Sequence, residues 1–267
     1  MNNLRVAIVT FNSPVAQSLS NIDRMIKWVK EAKKQDASVI CFPEMNITGY
    51  STGKKIYEVA EPVPGSITDA IVRTAKKEDI VILAGIAEKD KKERVYATHL
   101  VVKPNGSVET YRKLHLSPPK QNIYTAGKNI PLFEISGIKF GIQLCYDAHF
   151  PELSTQMAVN GVDVIFMPHA SPRGTSDDKF RSWMRHLPAR AFDNGIYILA
   201  CNQTGDNNEG LNFPGISIVI GPSGEVINKD ITDQEALLIA DIKAEELENI
   251  RKHRMRYFLP NRRPEIY

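Results

Sequence analysis

The sequence predicts a single α/β domain. Short β-branched apolar runs alternate with segments of helical spacing in both halves of the chain, and no Pro-, Gly- or Ser-rich linker separates the halves. Length agrees: 267 residues suit one large domain that buries roughly three quarters of its unfolded surface and needs no disulfide or metal staple.

Residues 4–11 (LRVAIVTF) read as a buried strand. A helix is expected over 17–34, where Leu19, Ile22, Met25, Ile26, Val29 and Ala32 keep helical spacing. Strand 37–43 follows and ends at Glu44. Ser66 and Asp69 form a Ser-x-x-Asp start for a second helix to Lys77, and strand 79–87 comes next. Strands 95–103 and 107–112 flank the turn Pro104-Asn105-Gly106. Residues 114–131, with Pro118, Pro119 and Pro131, read as a long loop, and such loops in compact domains are usually functional. The second half repeats this grammar: strand 138–144 reaching Cys145, helix 151–160, strand 162–168, helix 178–194 interrupted at Pro188, strand 196–202, and a hairpin at Gly221-Pro222-Ser223-Gly224. Residues 244–267 read as a short helix and an extended arm closing the one domain, 1–267.

Composition excludes several functions. Lys+Arg total 34 against 31 Asp+Glu, a net +3 too small to argue for nucleic acid. The basic run Arg251–Arg256 lacks interleaved stacking aromatics and reads as a helix end or an arm against a partner subunit. No run approaches the ~18 apolar residues of a membrane span, and the N-terminus lacks the apolar core of a signal peptide. Three widely spaced cysteines, Cys41, Cys145 and Cys201, do not suggest a disulfide framework, so a reducing cytoplasm is expected. The six histidines form no His-x-His or His-Glu-x-x-His and there is no Cys-x-x-Cys, so neither metal nor cofactor is expected. Gly215-Ile216-Ser217-Ile218-Val219 departs from a serine-hydrolase elbow at its last position.

Three strand ends carry chemistry: Phe42-Pro43-Glu44, Arg112-Lys113-Leu114-His115 and Leu144-Cys145-Tyr146-Asp147. A thiol with a pKa of ~8.5 is only a few per cent thiolate at pH 7 and needs a base. Glu44 could take that proton and return it to a leaving amine, since a dry pocket raises carboxylate pKa values into the working range. Lys113 and the Tyr146 N–H could stabilise an oxyanion, one such donor being worth ~3–4 kcal/mol. By residue type and position alone, a carboxylate after a strand is more often solvated and a single buried thiol more often inert.

The local words decide. Cys41-Phe42-Pro43-Glu44 with Thr48-Gly49-Tyr50, Tyr111-Arg112-Lys113-Leu114-His115-Leu116, and Gly141-Ile142-Gln143-Leu144-Cys145-Tyr146-Asp147 with Phe150-Pro151-Glu152 closely resemble the nitrilase (carbon–nitrogen hydrolase) superfamily. So do Ala189–Asn194, Asn202-Gln203-Thr204-Gly205, Gly221–Gly224 and Arg263-Pro264-Glu265-Ile266-Tyr267, in order along essentially the whole chain. The resemblance implies a four-layer α-β-β-α sandwich of two mixed sheets, paired with a second copy as a homodimer or higher homo-oligomer. It implies a catalytic triad of Glu44, Lys113 and Cys145, acting without metal or cofactor through a thioester on a non-peptide C–N bond. Tyr146-Asp147 favours a small linear amide or N-carbamoyl substrate over a nitrile. Other readings are a true nitrilase, or a binding protein that kept the fold and lost turnover.

One departure stands out. The family's second Glu, expected in the loop after the Lys, is absent, and Lys120, Gln121 or Asn122 occupies its slot. A lysine there would lower the thiol pKa and weaken amine protonation. The resemblance also marks Tyr50, Tyr146, His149, His169, Ser171 and Arg173 as substrate-binding candidates. Arg173 suits a carboxylate or is simply a solvated loop residue, and His169 suits substrate polarisation or a structural hydrogen bond.

Overall fold

The computed structural model describes residues 3–266; Tyr267, last residue of the C-terminal word, lies outside the described residues. The first half runs β1 (Leu4–Thr10), α1 (Ser18–Lys34), β2 (Val39–Cys41), the single turn α2 (Ile56–Val59), α3 (Ser66–Glu78), β3 (Val81–Lys89), β4 (Val95–Val102) and β5 (Val108–Arg112). The second half runs β6 (Phe133–Ile135), β7 (Ile138–Ile142), α4 (Pro151–Val159), β8 (Val164–Pro168), α5 (Ser176–Trp183), α6 (Leu187–Asn194) and β9 (Tyr197–Cys201). It closes with β10 (Gly205–Asp206), β11 (Asn212–Phe213), β12 (Ile216–Ile220), β13 (Val226–Ile231), β14 (Ala236–Ile242) and α7 (Ala244–Lys252), before an arm with two short 3-10 turns.

Two six-stranded mixed sheets result, ordered β14-β1-β2-β3-β4-β5 and β13-β12-β9-β8-β7-β6. They pack face to face. In β1, Leu4, Val6 and Ile8 enter the inter-sheet core, while Ala7 and Val9 face α1 and α3 on the outside. Burial on both faces is why these strands read as continuous apolar runs rather than alternating ones. The helical spacing of α1 puts Ile22, Met25, Val29 and Ala32 on the first sheet, and Leu153, Met157, Leu187 and Ala191 of α4 and α6 cover the second. The layers are therefore α-β-β-α. No helix of the described residues is long and apolar enough to cross a membrane.

Several local expectations change. The cap of α3 is Gly65, whose N–H donates to Thr68 Oγ1 at 2.7 Å, with Ser66 already inside the helix. The helix expected over 178–194 is two helices, the first starting at Ser176 and capped by Thr175 with Asp178. Pro188 falls at the second position of α6, where its missing N–H costs nothing. The edge strand β14 carries no strong local signal; it exists by pairing antiparallel with β1, Leu4 opposite Ile242.

β1, β2 and β3 run parallel, as do β7, β8 and β9. Lys113, His169 and Asn202 directly follow the last residues of β5, β8 and β9, Glu44 and Cys145 lie just beyond the ends of β2 and β7, and all of these strands end at one end of the sandwich, the usual place for a ligand in α/β sheets.

Candidate active site

Glu44 leaves β2 and is wholly buried. Its loop is pinned beneath β3: Gly85 N donates to Asn46 Oδ1 at 2.7 Å, and Ile47 N to Gly85 O at 2.9 Å. A Cβ on Gly85 would stand 2.2 Å from Met45 N, so only glycine lets the strand pass this close. From the other sheet, Gln203 Nε2 donates to Glu44 O at 2.7 Å.

The carboxylate itself is crowded with donors. Oε1 accepts from Lys113 Nζ at 2.8 Å and from Lys120 Nζ at 3.4 Å, and Oε2 accepts from Ala170 N at 3.2 Å. Burial acts to raise the Glu44 pKa, but the ammonium groups of Lys113 and Lys120 outweigh it and hold the group at about 2. The expectation of a raised carboxyl pKa is thereby reversed. Glu44 is ionised in the free protein.

Cys145 has φ +47°, a left-handed conformation that costs a residue with a Cβ ~1–2 kcal/mol. Asp147 holds the turn in place. Its buried carboxylate accepts from Leu144 N (3.0 Å), Tyr111 Oη (2.8 Å), His115 N (2.8 Å) and His115 Nδ1 (2.9 Å). Tyr111 and His115 flank Lys113, so one carboxylate locks the thiol-bearing turn to the lysine-bearing segment. Burial pushes the Cys145 thiol pKa up; Lys113 and Lys120 pull it down, Glu44 pushes it up, and the net direction is up. The thiol is protonated at neutral pH and needs a base. The Ala170 N–H that meets Glu44 adds a smaller pull toward the thiolate form.

The carbon–nitrogen hydrolase family profile matches residues 5–252. The chain belongs to that family. It is 30% identical over 274 residues to a nitrilase of Pyrococcus abyssi, spanning 99% of each chain. It is 31% identical over 262 residues to an omega-amidase of Danio rerio, spanning 94% of this chain and 92% of that one. Its fold matches a CN-hydrolase superfamily protein of Xanthomonas campestris with a TM-score of 0.88 at 22% identity, over 98% of each chain.

Of the three residues in the altered loop of this carbon–nitrogen hydrolase, only Lys120 turns inward. Its side chain is 5% exposed, with Nζ 4.2 Å from the centre of the Tyr50 ring, whereas Gln121 and Asn122 lie exposed. Tyr50 is buried against Phe213, with its hydroxyl pKa raised by burial and by the nearby Glu44 charge. Tyr146 packs edge-on against Phe150 and lines a groove of about 530 Å³ with Leu116, Pro118, Gln121 and Tyr124.

The other expected binding residues divide. His169 is buried; its Nδ1 donates to Met167 O at 2.7 Å, and burial lowers its pKa to about 3, so it is neutral. His149 is exposed and packs at a tilt against His186, and burial with the Arg190 and Lys113 charges lowers its pKa. Arg173 is exposed and makes no ion pair among the described residues. Ser171 is fixed by Asn202, which accepts from Ser171 N at 2.9 Å and donates to Ser171 O at 3.0 Å.

Sequence reading missed Lys179, whose Nζ donates to Ser171 Oγ at 2.7 Å. Its signal lay in Thr175-x-x-Asp178, the capping box that starts α5 and sets which face Lys179 occupies. It also missed the anchoring work of Asn202, Gln203 and Asp147. Among the described residues, no group of three His, Cys, Asp or Glu side chains is placed to hold a metal ion.

Proposed function

We propose that this protein hydrolyses a small linear amide or N-carbamoyl compound through a thioester on Cys145, releasing ammonia. The observation that carries the reading is the ionised, wholly buried Glu44, hydrogen-bonded by Lys113 and by Ala170 N, with Lys113 and Glu44 both near enough to Cys145 for their charges to act on its thiol.

The steps follow from charge. Glu44 takes the thiol proton as sulfur attacks the carbonyl carbon, and the C=O π pair moves onto oxygen. The Lys113 ammonium and the Tyr146 N–H stabilise that oxyanion. With Glu44 held at about 2 and the thiol pKa raised, a free thiolate is not a resting species. Proton transfer therefore accompanies attack, and the same low proton affinity makes protonated Glu44 a strong acid toward the leaving amine. Collapse expels ammonia; water then attacks the thioester with Glu44 as base, and the C–S bond breaks as Glu44 returns that proton to sulfur, freeing the acid and restoring the thiol.

Asp147 spends its lone pairs on protein donors. The preference for amides over nitriles thus draws its support from the Tyr146-Asp147 word and from the omega-amidase relative rather than from a substrate contact by Asp147. An ammonia-release screen across short amides, N-carbamoyl amines, N-carbamoyl acids and nitriles, with intact-mass detection of the acyl-enzyme, tests it. Amide or carbamoyl turnover with an adduct absent from Cys145→Ala is expected. Turnover of nitriles alone, or full activity in Cys145→Ala, would overturn it.

A further inference from the structure

We infer that the outer face of the β4–β5 hairpin carries a binding site for a phosphate group, separate from the Glu44 centre and independent of the hydrolase reading.

The strand register builds the site. Tyr111 enters the inter-sheet core, and Lys113, two residues on, reaches Glu44. Alternation along β5 turns Thr110 and Arg112 to the opposite face. Arg112 stands beside Thr98 of β4, and Tyr96 beside Glu88 of β3, so these side chains share that face. Further along β4 the same face carries Leu100 and Val102, which pack under the outer helices. Here it is polar instead. The loop after Lys113 returns alongside, with Gly127 N donating to Lys113 O at 2.8 Å. Between loop and hairpin lies a cavity of about 450 Å³, bordered by Arg94, Tyr96, Thr110, Arg112, Lys128 and Asn129. That volume is in the range of small-molecule sites.

Three cations border this cavity and no carboxylate does. The carboxylates stand behind. Buried Glu88 accepts from Arg112 Nε at 2.8 Å and also from its Nη2. Asp90 accepts from Arg94 Nε at 2.9 Å and Nη2 at 2.6 Å. A guanidinium has five N–H donors, and the Nη1 of each arginine meets no protein acceptor among the described residues. The two forks are thus held in orientation by one edge, with donors left over for a ligand, which lowers the entropic cost of binding.

Both guanidiniums also converge on one ring. Arg112 lies 4.1 Å and Arg94 5.6 Å from the centre of Tyr96. They are near enough that the Arg112 charge works against that of Arg94. Lys128, exposed on the loop side, adds a third positive charge. An anion among the three relieves that repulsion. A phosphate offers three terminal oxygens and close to two negative charges, where a carboxylate offers two oxygens and one charge, so phosphate answers three separate donors better. The cavity has room beyond the phosphate for the organic part of a monoester.

The test is direct titration of inorganic phosphate, glycerol 3-phosphate and glycerol into the folded protein, at low ionic strength and about pH 8, where the phosphates are dianions. Wild type should bind one phosphate or phosphate ester per chain and no glycerol. Lys128→Glu and Arg94→Gln should each weaken that binding at least about tenfold, with Lys128→Arg close to wild type. Tighter binding of the ester than of free phosphate supports the site and shows the organic part filling the cavity; equal binding supports it as a site for the phosphate group alone. Lys120→Met, altered at the Glu44 centre, should bind as wild type does. Binding that is absent from wild type, or equal in wild type and Lys128→Glu, overturns the inference. So does binding lost in Lys120→Met and kept in Lys128→Glu, which would put the anion beside Glu44's cations.

Discussion

Lys120 offers the sharpest test of the site's electrostatics. Its ammonium stands 3.4 Å from Glu44 Oε1, with a side chain 5% exposed. At an effective dielectric constant of ~20, a unit charge at that distance interacts by about 5 kcal/mol, an upper bound once neighbouring groups readjust. Each pKa unit is worth ~1.4 kcal/mol, so even a third of that interaction moves Glu44 by about one unit. Lys120→Met keeps the alkyl chain between Tyr50 and Tyr124 and removes the charge. The sign is fixed by the base role: Glu44 works ionised, two cations hold it at about 2, and losing one raises its pKa. The acid limb of kcat/KM against pH, measured with butyramide because it carries no titrating group, should therefore rise by one unit or more. In wild type that limb lies near pH 2; in Lys120→Met it should move to about pH 3 or above. A folded Lys120→Met whose profile stays flat to the same pH as wild type would refute the reasoning.

Three further outcomes follow from the same geometry. Asp147→Asn places an amide where Leu144 N, Tyr111 and His115 all need acceptors, and should cost about 2–4 kcal/mol in urea unfolding; a loss under ~0.5 kcal/mol would contradict its locking role. Gly85→Ala drives a Cβ into Met45 N and should lower both stability, by about 1–3 kcal/mol, and kcat as Glu44 shifts; unchanged kcat would argue against the close-approach account. The stability difference between wild type and Glu44→Gln should shrink with acid. Glu44 has a folded pKa of about 2 against ~4.3 unfolded, so its contribution is full above ~4.3 and is lost as pH falls through 2. A difference that stays constant between about pH 5 and 2 would rule out the depressed pKa.

Much of this was legible in sequence because it is local. Continuous apolar runs and helical spacing reflect which faces are buried, and they located β1, α1, β3, β4, β5 and β7–β9 to within a few residues. The words around Glu44, Lys113 and Cys145 marked the strand ends, and the prolines of 114–131 marked the loop. Tertiary structure decided the rest, because it depends on groups far apart in the chain. β14 is a strand only because β1, more than two hundred residues earlier, offers it an edge. Pattern alone could not say that Lys120 turns in while Gln121 and Asn122 turn out, since three adjacent polar residues look alike until a carboxylate waits on one side. The Glu44 pKa followed the same logic. Burial could be anticipated from an apolar strand, but its effect is overruled by ammonium groups 69 and 76 positions away, and electrostatic energy depends on distance in space rather than along the chain.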